Sequence, residues 1–303
     1  MRVVTVSESP GSPSHDYRQD LEAGDILLFP TTPFPLSEET KQGFRTLQLA
    51  GNTLHKNVAY RPAANRVTGY KGANLSPETL QKLFKTYSDA VVRFTAELLP
   101  DYAKAWKLDY ASFRPVEEEG RSLPLTKRND LLHTDAFPSR PTFGGLILRV
   151  FTNIHPTKKR VWITADPFAQ IAPAYAKEAG LDRIAEQGTS PIGKLQHQLL
   201  RTLHMAGLPV VPRSPYDRFM LGFHDYLKRN TEFQGGCRKY RFEFPPGSTW
   251  MVFTDVVPHS VESGQQALEQ TFIVSQNSLA NPQNAPVAIL ERLSGRVLTG
   301  NAA

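Results

Sequence analysis

The chain has 303 residues, of which 40% are hydrophobic and 21% charged, a balance typical of a globular protein and not of a disordered one. Its single cysteine, Cys237, excludes an internal disulfide and favours a reducing compartment. The formal net charge of +6 favours anionic partners, but the sequence has no run of like charges of the kind that binds nucleic acid, so none is expected as a partner.

The start of the chain lacks the pattern of a secretory signal. The first ten residues, MRVVTVSESP, contain one arginine and an apolar run that stops at Ser7, too short for the hydrophobic region of a signal peptide. No stretch approaches the roughly 18 consecutive apolar residues of a transmembrane helix. The sequence therefore predicts a cytoplasmic protein that is at most peripheral to a membrane.

Residues 1–109 combine a short strand with helices. The run DILLF at 25–29 is closed by Pro30 and is typical of a strand. Ser76, Pro77 and Glu78 predict a helix start, with an N-cap serine and proline in the first turn. Apolar residues then recur at helical spacing, namely Leu80, Leu83, Phe84, Tyr87, Val91, Phe94 and Leu98. We expect this region to be mainly helical support for a sheet.

From residue 110 the pattern changes to short segments rich in aromatic and β-branched residues, which predict strands. These are residues 110–116, 146–154, 160–164, 239–244, 249–254 and 270–274. An insertion at about 167–229 has helical stretches at 193–205 and 216–227. This order favours an α+β protein with an antiparallel sandwich or jelly roll supported by helices. We expect one domain over 1–303, with the strand-rich core at 110–275 and a C-terminal tail at 276–303.

Two histidines and an aspartate are the main chemical signal. His133 and Asp135 are two residues apart, so in an extended segment both side chains point the same way. His259 follows a strand-like run. Two histidines and one carboxylate on one face of a metal leave three positions open, as in non-haem iron(II) oxygenases, for a 2-oxo acid and dioxygen. An isolated HxD motif is a weak signal, but here the motif and the distal histidine bracket most of the strand-rich region.

Arg149 lies in the middle of the apolar strand LILRVFTNI. An arginine at such a position is either at a sheet edge with its head in water or buried opposite a fixed anion. The second arrangement fits the distal carboxylate of 2-oxoglutarate, which a bidentate cation binds well. Residues 260–291 contain neither Lys nor Arg, so the cation must come from another strand, and Arg149 is the best candidate.

The other candidate residues have simpler interpretations. His197 and His204 share a helix face but lack an acidic or cysteine partner at ligand spacing, so surface or core histidines are expected. The same holds for His15, His55, His155 and His224. Cys237 has no paired histidine motif and is not expected to be a nucleophile. Asp255 either orients His259 or caps the end of a strand.

Two long stretches resemble the Kdo hydroxylase family. They are LLHTDAFPSRPTFGGLILRVFTNIHPTKKRVW at 131–162 and VPHSVESGQQALEQTFIV at 257–274. The resemblance implies a double-stranded β-helix, or jelly roll, with helices on its outside. It implies His133, Asp135 and His259 as iron(II) ligands and Arg149 as the 2-oxoglutarate anchor. Arg114 and Arg160 are further candidates for binding cosubstrate or a sugar carboxylate, with ordinary strand-end arginines as the alternative.

The resemblance also implies a reaction. Members use dioxygen and 2-oxoglutarate to hydroxylate C3 of 3-deoxy-D-manno-oct-2-ulosonic acid (Kdo) in Kdo–lipid A, giving Ko in lipopolysaccharide. Such a substrate would place the protein at the cytoplasmic face of the inner membrane. Five basic residues are candidates for that contact, with a solvated face without a partner as the alternative: Lys158, Lys159, Arg238, Lys239 and Arg241. The alternatives are a 2-oxoglutarate oxygenase acting on another small molecule or a protein, and a non-catalytic jelly-roll module that binds sugar.

Overall fold

The computed structural model describes residues 1–6, 15–48 and 57–299. The prediction for His55 therefore lies outside the described residues, as do most of the N-terminal stretch beyond Val6 and residues 300–303 of the predicted tail. No helix within the described ranges is long and apolar enough to span a membrane.

The N-terminal region alternates short strands with helices. Its elements are β1 (Val3–Thr5), α1 (Tyr17–Glu22), β2 (Ile26–Phe29), α2 (Glu38–Arg45), β3 (Val58–Arg61), β4 (Arg66–Thr68), α3 (Pro77–Leu98) and α4 (Pro100–Ala103). The predicted strand at 25–29 corresponds to β2. Helix α3 begins as predicted, because the Ser76 side chain accepts a hydrogen bond from the amide of Thr79 and Pro77 occupies the first turn.

The strand-rich region follows the prediction with shifts at strand ends. Its elements are β5 (Trp106–Arg114), β6 (Leu146–Asn153), β7 (Arg160–Ala165), α5 (Phe168–Tyr175), α6 (Leu181–Thr189), α7 (Pro191–Met205), α8 (Pro215–Arg229), α9 (Thr231–Gly236), β8 (Lys239–Phe244), β9 (Thr249–Phe253), β10 (His259–Ser263), β11 (Ala267–Val274) and α10 (Pro286–Ser294). The predicted insertion holds α5 to α8. Strand β10 and helices α5, α6, α9 and α10 are additional to the predicted elements.

The strands form two sheets. The large sheet has the order β1-β2-β9-β6-β11-β5-β3-β4, and the small sheet has the order β10-β7-β8. All pairs are antiparallel except β1 and β2. The α+β class expected from the sequence is confirmed. Strands from residues 1–109 extend both edges of the large sheet, so this region contributes strands as well as helical support.

Aromatic side chains fill the space between the two sheets. Trp162 of the small sheet meets Trp250 of the large sheet edge to face, with ring centroids 5.6 Å apart. Phe151 and Phe244 stack on Trp250, and Trp162 also stacks on His259 at 5.0 Å. These rings are fully buried or nearly so. The aromatic core therefore supports the imidazole of His259 directly.

Candidate metal centre

Backbone hydrogen bonds bring the three predicted ligands together. His133 and His259 form an antiparallel bridge in which each amide donates to the other's carbonyl, at 3.1 and 2.9 Å. The amide of Asp135 donates to the carbonyl of Thr254 at 2.9 Å. Residues 133–135 thus lie alongside β10 as a further extended segment. This pairing brings together the side chains of His133 and His259, which are 126 residues apart in sequence.

Each imidazole is oriented by a carbonyl close to it in sequence. His133 Nδ1 lies 2.7 Å from the carbonyl oxygen of Leu131. His259 Nδ1 lies 2.9 Å from the carbonyl oxygen of Val257. Because a carbonyl only accepts hydrogen bonds, Nδ1 carries the proton in both rings. Nε2 is therefore the unprotonated, metal-binding nitrogen of each histidine.

The two Nε2 atoms flank the carboxylate of Asp135. His133 Nε2 lies 3.9 Å from Oδ1 and His259 Nε2 lies 3.8 Å from Oδ2. The Oδ2 atom is buried and accepts no hydrogen bond from a described residue, and its cationic neighbour is the Arg149 guanidinium, with Nη1 3.2 Å away. Two imidazole nitrogens and one carboxylate converging on a point fit the facial triad of a non-haem iron(II) site.

The protonation states also suit a metal. Burial, followed by the charge of neighbouring groups, lowers the pKa of His133 well below its usual value, and burial lowers the pKa of His259. Burial alone would raise the pKa of Asp135, but the nearby Arg149 guanidinium and the two imidazoles hold that pKa far below its usual value. The site therefore presents two neutral imidazoles and a carboxylate, the forms that bind metal.

A layer of arginine side chains lies beside the metal ligands. Arg149 Nη1 is 3.2 Å from Asp135 Oδ2 and 3.3 Å from Glu269 Oε1. Arg114 holds the other oxygen of Glu269, through Nε at 2.9 Å and Nη2 at 2.6 Å. Arg149 is thus buried opposite anions, as expected for an arginine in an apolar strand, and both anions are side chains of this protein.

Arg160 differs from the other two arginines because it forms no ion pair with a carboxylate of the described residues. It is 1% exposed, and its Nη1 donates to the carbonyl of Gly264 at 2.9 Å. Its Nε, like that of Arg149, has no hydrogen-bond partner among the described residues. Burial, reinforced by the charge of Arg114, lowers the pKa of Arg160 to about 10. A buried guanidinium with unused donors is suited to binding an anionic ligand. The alternative interpretation of Arg160 as a surface residue is therefore excluded by its burial.

The ligands and the arginines surround one cavity of about 180 Å³. Its wall consists of Asn57, Arg114, Thr126, Lys127, Asn129, His133, Asp135, Arg149, Phe151, Arg160, Trp162, His224, Lys228, His259 and Val261. All six residues predicted for the site from the sequence line this cavity. The structure therefore brings the candidate metal ligands and the candidate anion-binding residues together.

His224 is a site residue that the sequence interpretation missed. Its ring lies 4.8 Å from that of His133, and its ligand atom lies within 4.8 Å of those of His133 and Asp135. Its Nδ1 is 2.7 Å from the carbonyl oxygen of Thr134, which leaves Nε2 facing the cavity. One turn further along α8, Lys228 is also buried against the cavity. Neither residue belongs to a motif, and helix α8 alone brings them here.

Asp255, His155 and His15 have structural contacts outside the candidate metal centre. Asp255 accepts the amide of Ile147 at 3.0 Å, whereas the carbonyl of Val257 orients His259, so the capping alternative is supported. His155 accepts backbone amides in a turn, and His15 pairs with Asp20. These histidines lie away from the metal-centre cavity, as expected.

Comparison with known proteins agrees with this geometry. A model of the 3-deoxy-D-manno-oct-2-ulosonic acid (Kdo) hydroxylase family matches residues 6–297. A comparison with curated protein sequences gives no match. Among solved structures, the apo form of the Kdo hydroxylase KdoO, described as a non-heme Fe(II) α-ketoglutarate dependent dioxygenase, is 32% identical with a TM-score of 0.82. That match covers 100% of this chain and 99% of the other.

Two liganded forms of KdoO are also similar to this chain. The complex with α-ketoglutarate and Fe(III) has 32% identity, a TM-score of 0.82 and coverage of 100% of this chain and 99% of that one. The complex with succinate and Fe(III) has 32% identity, a TM-score of 0.80 and coverage of 99% and 98%. With a family model that spans nearly its whole length and solved relatives that align from end to end, this chain belongs to the Kdo hydroxylase family.

Proposed function

We propose that the protein is an iron(II)- and 2-oxoglutarate-dependent dioxygenase that hydroxylates C3 of Kdo in Kdo–lipid A to give Ko. The observation that carries the proposal is the convergence of His133, Asp135 and His259 in a buried cavity beside an arginine layer. Family membership supports Kdo as the substrate. The solved relatives carry α-ketoglutarate, which is 2-oxoglutarate, together with iron.

We infer that the core is a jelly roll. Strands β5, β11, β6 and β9 are consecutive neighbours in the large sheet. The segment at 131–135 bridges to β10, so the opposing sheet has the order 131–135, β10, β7, β8. Two four-stranded antiparallel sheets with this alternation of sequential strands are the pattern of a jelly roll. In chain order, His133 and Asp135 then lie in the second of these eight strands, and His259 opens the seventh.

Iron(II) would be held by Nε2 of His133, Nε2 of His259 and the carboxylate of Asp135. When bound, the metal supplies the activation of dioxygen and the oxidation of the C–H bond. In the overall reaction 2-oxoglutarate loses CO2 and becomes succinate, which takes up one oxygen atom, and the second oxygen atom becomes the new hydroxyl of the sugar. The protein's own contribution is to fix the imidazole tautomers and, through Arg149, to keep Asp135 ionised.

We further propose that Arg160 is the principal cation for the distal carboxylate of 2-oxoglutarate. Arg149 and Arg114 already share Glu269, and Arg149 also contacts Asp135. Arg160 has unused donors and forms no ion pair with a described carboxylate. Arg149, the candidate favoured by the sequence, then acts mainly on the metal ligand. It remains the second candidate for the cosubstrate.

The opposite wall of the cavity suits the sugar. Lys228 is buried, donates through Nζ to the carbonyl of Thr126 at 3.1 Å, and lines the cavity next to Lys127 and His224. Kdo carries a carboxylate, so we propose that these cationic and polar groups orient the sugar over the metal. A charged substrate held by fixed donors gains the orientation on which an oxidation at one carbon depends.

The decisive experiment incubates the purified protein with Fe(II), 2-oxoglutarate, dioxygen and Kdo–lipid A. We expect succinate, together with a mass gain of one oxygen atom on the Kdo fragment. Asp135→Ala is the matched control and should give neither product. Succinate without a modified Kdo would favour a different acceptor. Absence of succinate under every condition would favour the non-catalytic sugar-binding module.

A further inference from the structure

Helix α7 exposes an apolar stripe to solvent. None of its 15 residues is buried, although Ile192, Leu195 and Leu199 recur at helical spacing along one side. These three side chains, the outer stripe, are 70%, 68% and 57% exposed. Contiguous exposed apolar surface on a helix marks a contact with another apolar phase or partner. We therefore expect an apolar partner or phase to cover the outer stripe.

The inner side of α7 is cationic. It covers a cavity of about 760 Å³ between α6, α7 and the start of α8, and the outer stripe does not line that cavity. The lining of this cavity, which we call the cationic cavity, includes Lys194, Arg201, Arg213 and Arg218. It contains no Asp or Glu. Within the part of the chain that the structure describes, none of these four cations is in an ion pair. The cavity is thus an uncompensated positive site.

The surrounding sequence has the same charge. From residue 187 to residue 216 there is neither Asp nor Glu. By contrast, three of the five basic residues that the sequence suggested for a membrane contact form ion pairs, and Lys158 pairs with Glu117 at 3.9 Å. Lys159 pairs with Glu243 at 2.6 Å, and Arg241 pairs with Glu262 at 2.7 Å. A basic stretch without acidic residues therefore lies beside the apolar stripe of α7.

We propose that α7 is the membrane-contact element of this protein and that its occupant is an anionic phospholipid surface. The outer stripe enters the boundary between head groups and acyl chains, and the cationic cavity takes lipid phosphates. An apolar face combined with basic residues and no acids is the composition of helices that lie in a membrane interface. This inference deepens the proposed function and rests on it for the lipid-linked nature of the substrate.

Helix α8 connects this surface to the metal centre. Pro215 and Arg218, near its start, line the cationic cavity, whereas His224 and Lys228 line the metal-centre cavity. Six residues of helix separate Arg218 from His224, about 9 Å along the axis. Arg213 also donates to the carbonyl of Pro138 in the segment that follows Asp135. A sugar attached to a lipid held at α7 is therefore close to the iron ligands.

Sedimentation with vesicles tests the proposal. The full-length protein is mixed with vesicles of phosphatidylglycerol and phosphatidylcholine, or of phosphatidylcholine alone. We expect binding to the anionic vesicles that weakens as salt rises, and little binding to the neutral ones. The variant Ile192→Ser/Leu195→Ser/Leu199→Ser should bind anionic vesicles at least about tenfold more weakly, and Lys194→Gln/Arg201→Gln should also weaken binding. Both sets of side chains are solvent-facing, and a thermal unfolding curve like that of the wild type verifies the fold.

The matched control is Lys158→Gln/Lys159→Gln, which removes two exposed basic residues elsewhere and should bind like the wild type. Loss of binding in this control, or unchanged binding in the stripe variant, would overturn the proposal. So would a wild-type dimer that the stripe variant converts to monomers without lipid, because the occupant would then be a second copy. Succinate formation without vesicles should be unchanged in every variant. Its failure in the wild type would count against the proposed function and leave the vesicle result standing.

Discussion

The carboxylate of Asp135 lies between Nε2 of His133 and Nε2 of His259, which predicts that all three side chains are needed for activity. We expect Asp135→Ala, His133→Ala and His259→Ala each to abolish turnover, because a facial triad that loses one ligand retains two. Each variant should keep its fold, since backbone bonds hold the segment beside β10. Succinate formation and far-UV circular dichroism test both statements. Full activity in Asp135→Ala would rule out the assigned triad.

A second residue-scale prediction concerns the cosubstrate. Arg160→Ala should raise the KM for 2-oxoglutarate by about two to three powers of ten, because loss of one partner of a buried charge pair costs roughly 3–5 kcal/mol. Arg160→Lys should restore little, since lysine lacks the planar fork. Steady-state kinetics with Arg149→Ala as the comparison separates the two candidates. If only Arg149→Ala raises KM, the anchor predicted from the sequence is the correct one.

The sequence identified residues of this site where their chemistry is local or strongly patterned. The spacing of His133 and Asp135 and the position of Arg149 in an apolar strand can be recognised from the sequence alone. His224 is not, because its helix lies in the insertion, far in sequence from the HTD motif, and no motif connects the two. The role of Glu269 is also hidden, since an acidic residue in a strand gives no sign that two arginines share it. Only the fold supplies those partners.

At the scale of the helix, α8 carries His224 and Lys228 and begins with a capping box. The Ser214 hydroxyl accepts a hydrogen bond from the amide of Asp217, and the Asp217 carboxylate accepts one from the amide of Ser214. Ser214→Ala should lower the free energy of unfolding by about 1 kcal/mol. Asp217→Ala should lower it more, because this carboxylate also accepts the amide of Thr142 at 2.8 Å. Urea unfolding measures both changes.

The control for that prediction is Ser190→Ala, which removes the cap of α7. Ser190 accepts the amide of Gly193 at 3.0 Å, but α7 buries none of its residues. Loss of the Ser190 cap should therefore fray α7 and leave the free energy of global unfolding nearly unchanged. A Ser190→Ala effect as large as that of Ser214→Ala would show that α7 is coupled to the core after all.

Strands were predictable where aromatic and β-branched residues dominate, as in β6, β8 and β9. Strand β10 was missed because its sequence, HSVES, is mostly polar and begins with a metal ligand. Strands β1, β3 and β4 have three or four residues each, too few for alternation to be recognised. Pairing of β1 with β2, of β3 with β5 and of β4 with β3 stabilises them, and pairing is a tertiary property that local sequence does not encode.

For the whole molecule, strand order argues for a single cooperative unit. Strand β2, from the start of the chain, pairs with β9, and β3 pairs with β5. Helix α3 is joined to the large sheet by the hydrogen bond from Ser88 to Gln270, at 2.7 Å. The N-terminal region therefore shares one hydrophobic core with the strand-rich region. We accordingly keep the proposal of one domain over 1–303.

The pH dependence of the free energy of unfolding is a property of the whole molecule, and Asp255 should contribute to it. Burial raises its pKa from the ordinary 3.8 to about 7, so between these values the folded state keeps a proton that the unfolded state releases. The contribution of Asp255 to the free energy of unfolding should therefore fall as pH rises from about 4 to about 7, by on the order of a few kcal/mol, and then level off. His133 and His259, whose pKa values burial lowers, act in the opposite direction below about 6.5. Asp255→Asn stays neutral and keeps an oxygen for the Ile147 amide, so its stability should rise more steeply with pH than that of the wild type. Urea titrations of metal-free protein at several pH values decide the matter, and equal slopes in both proteins would refute the assignment.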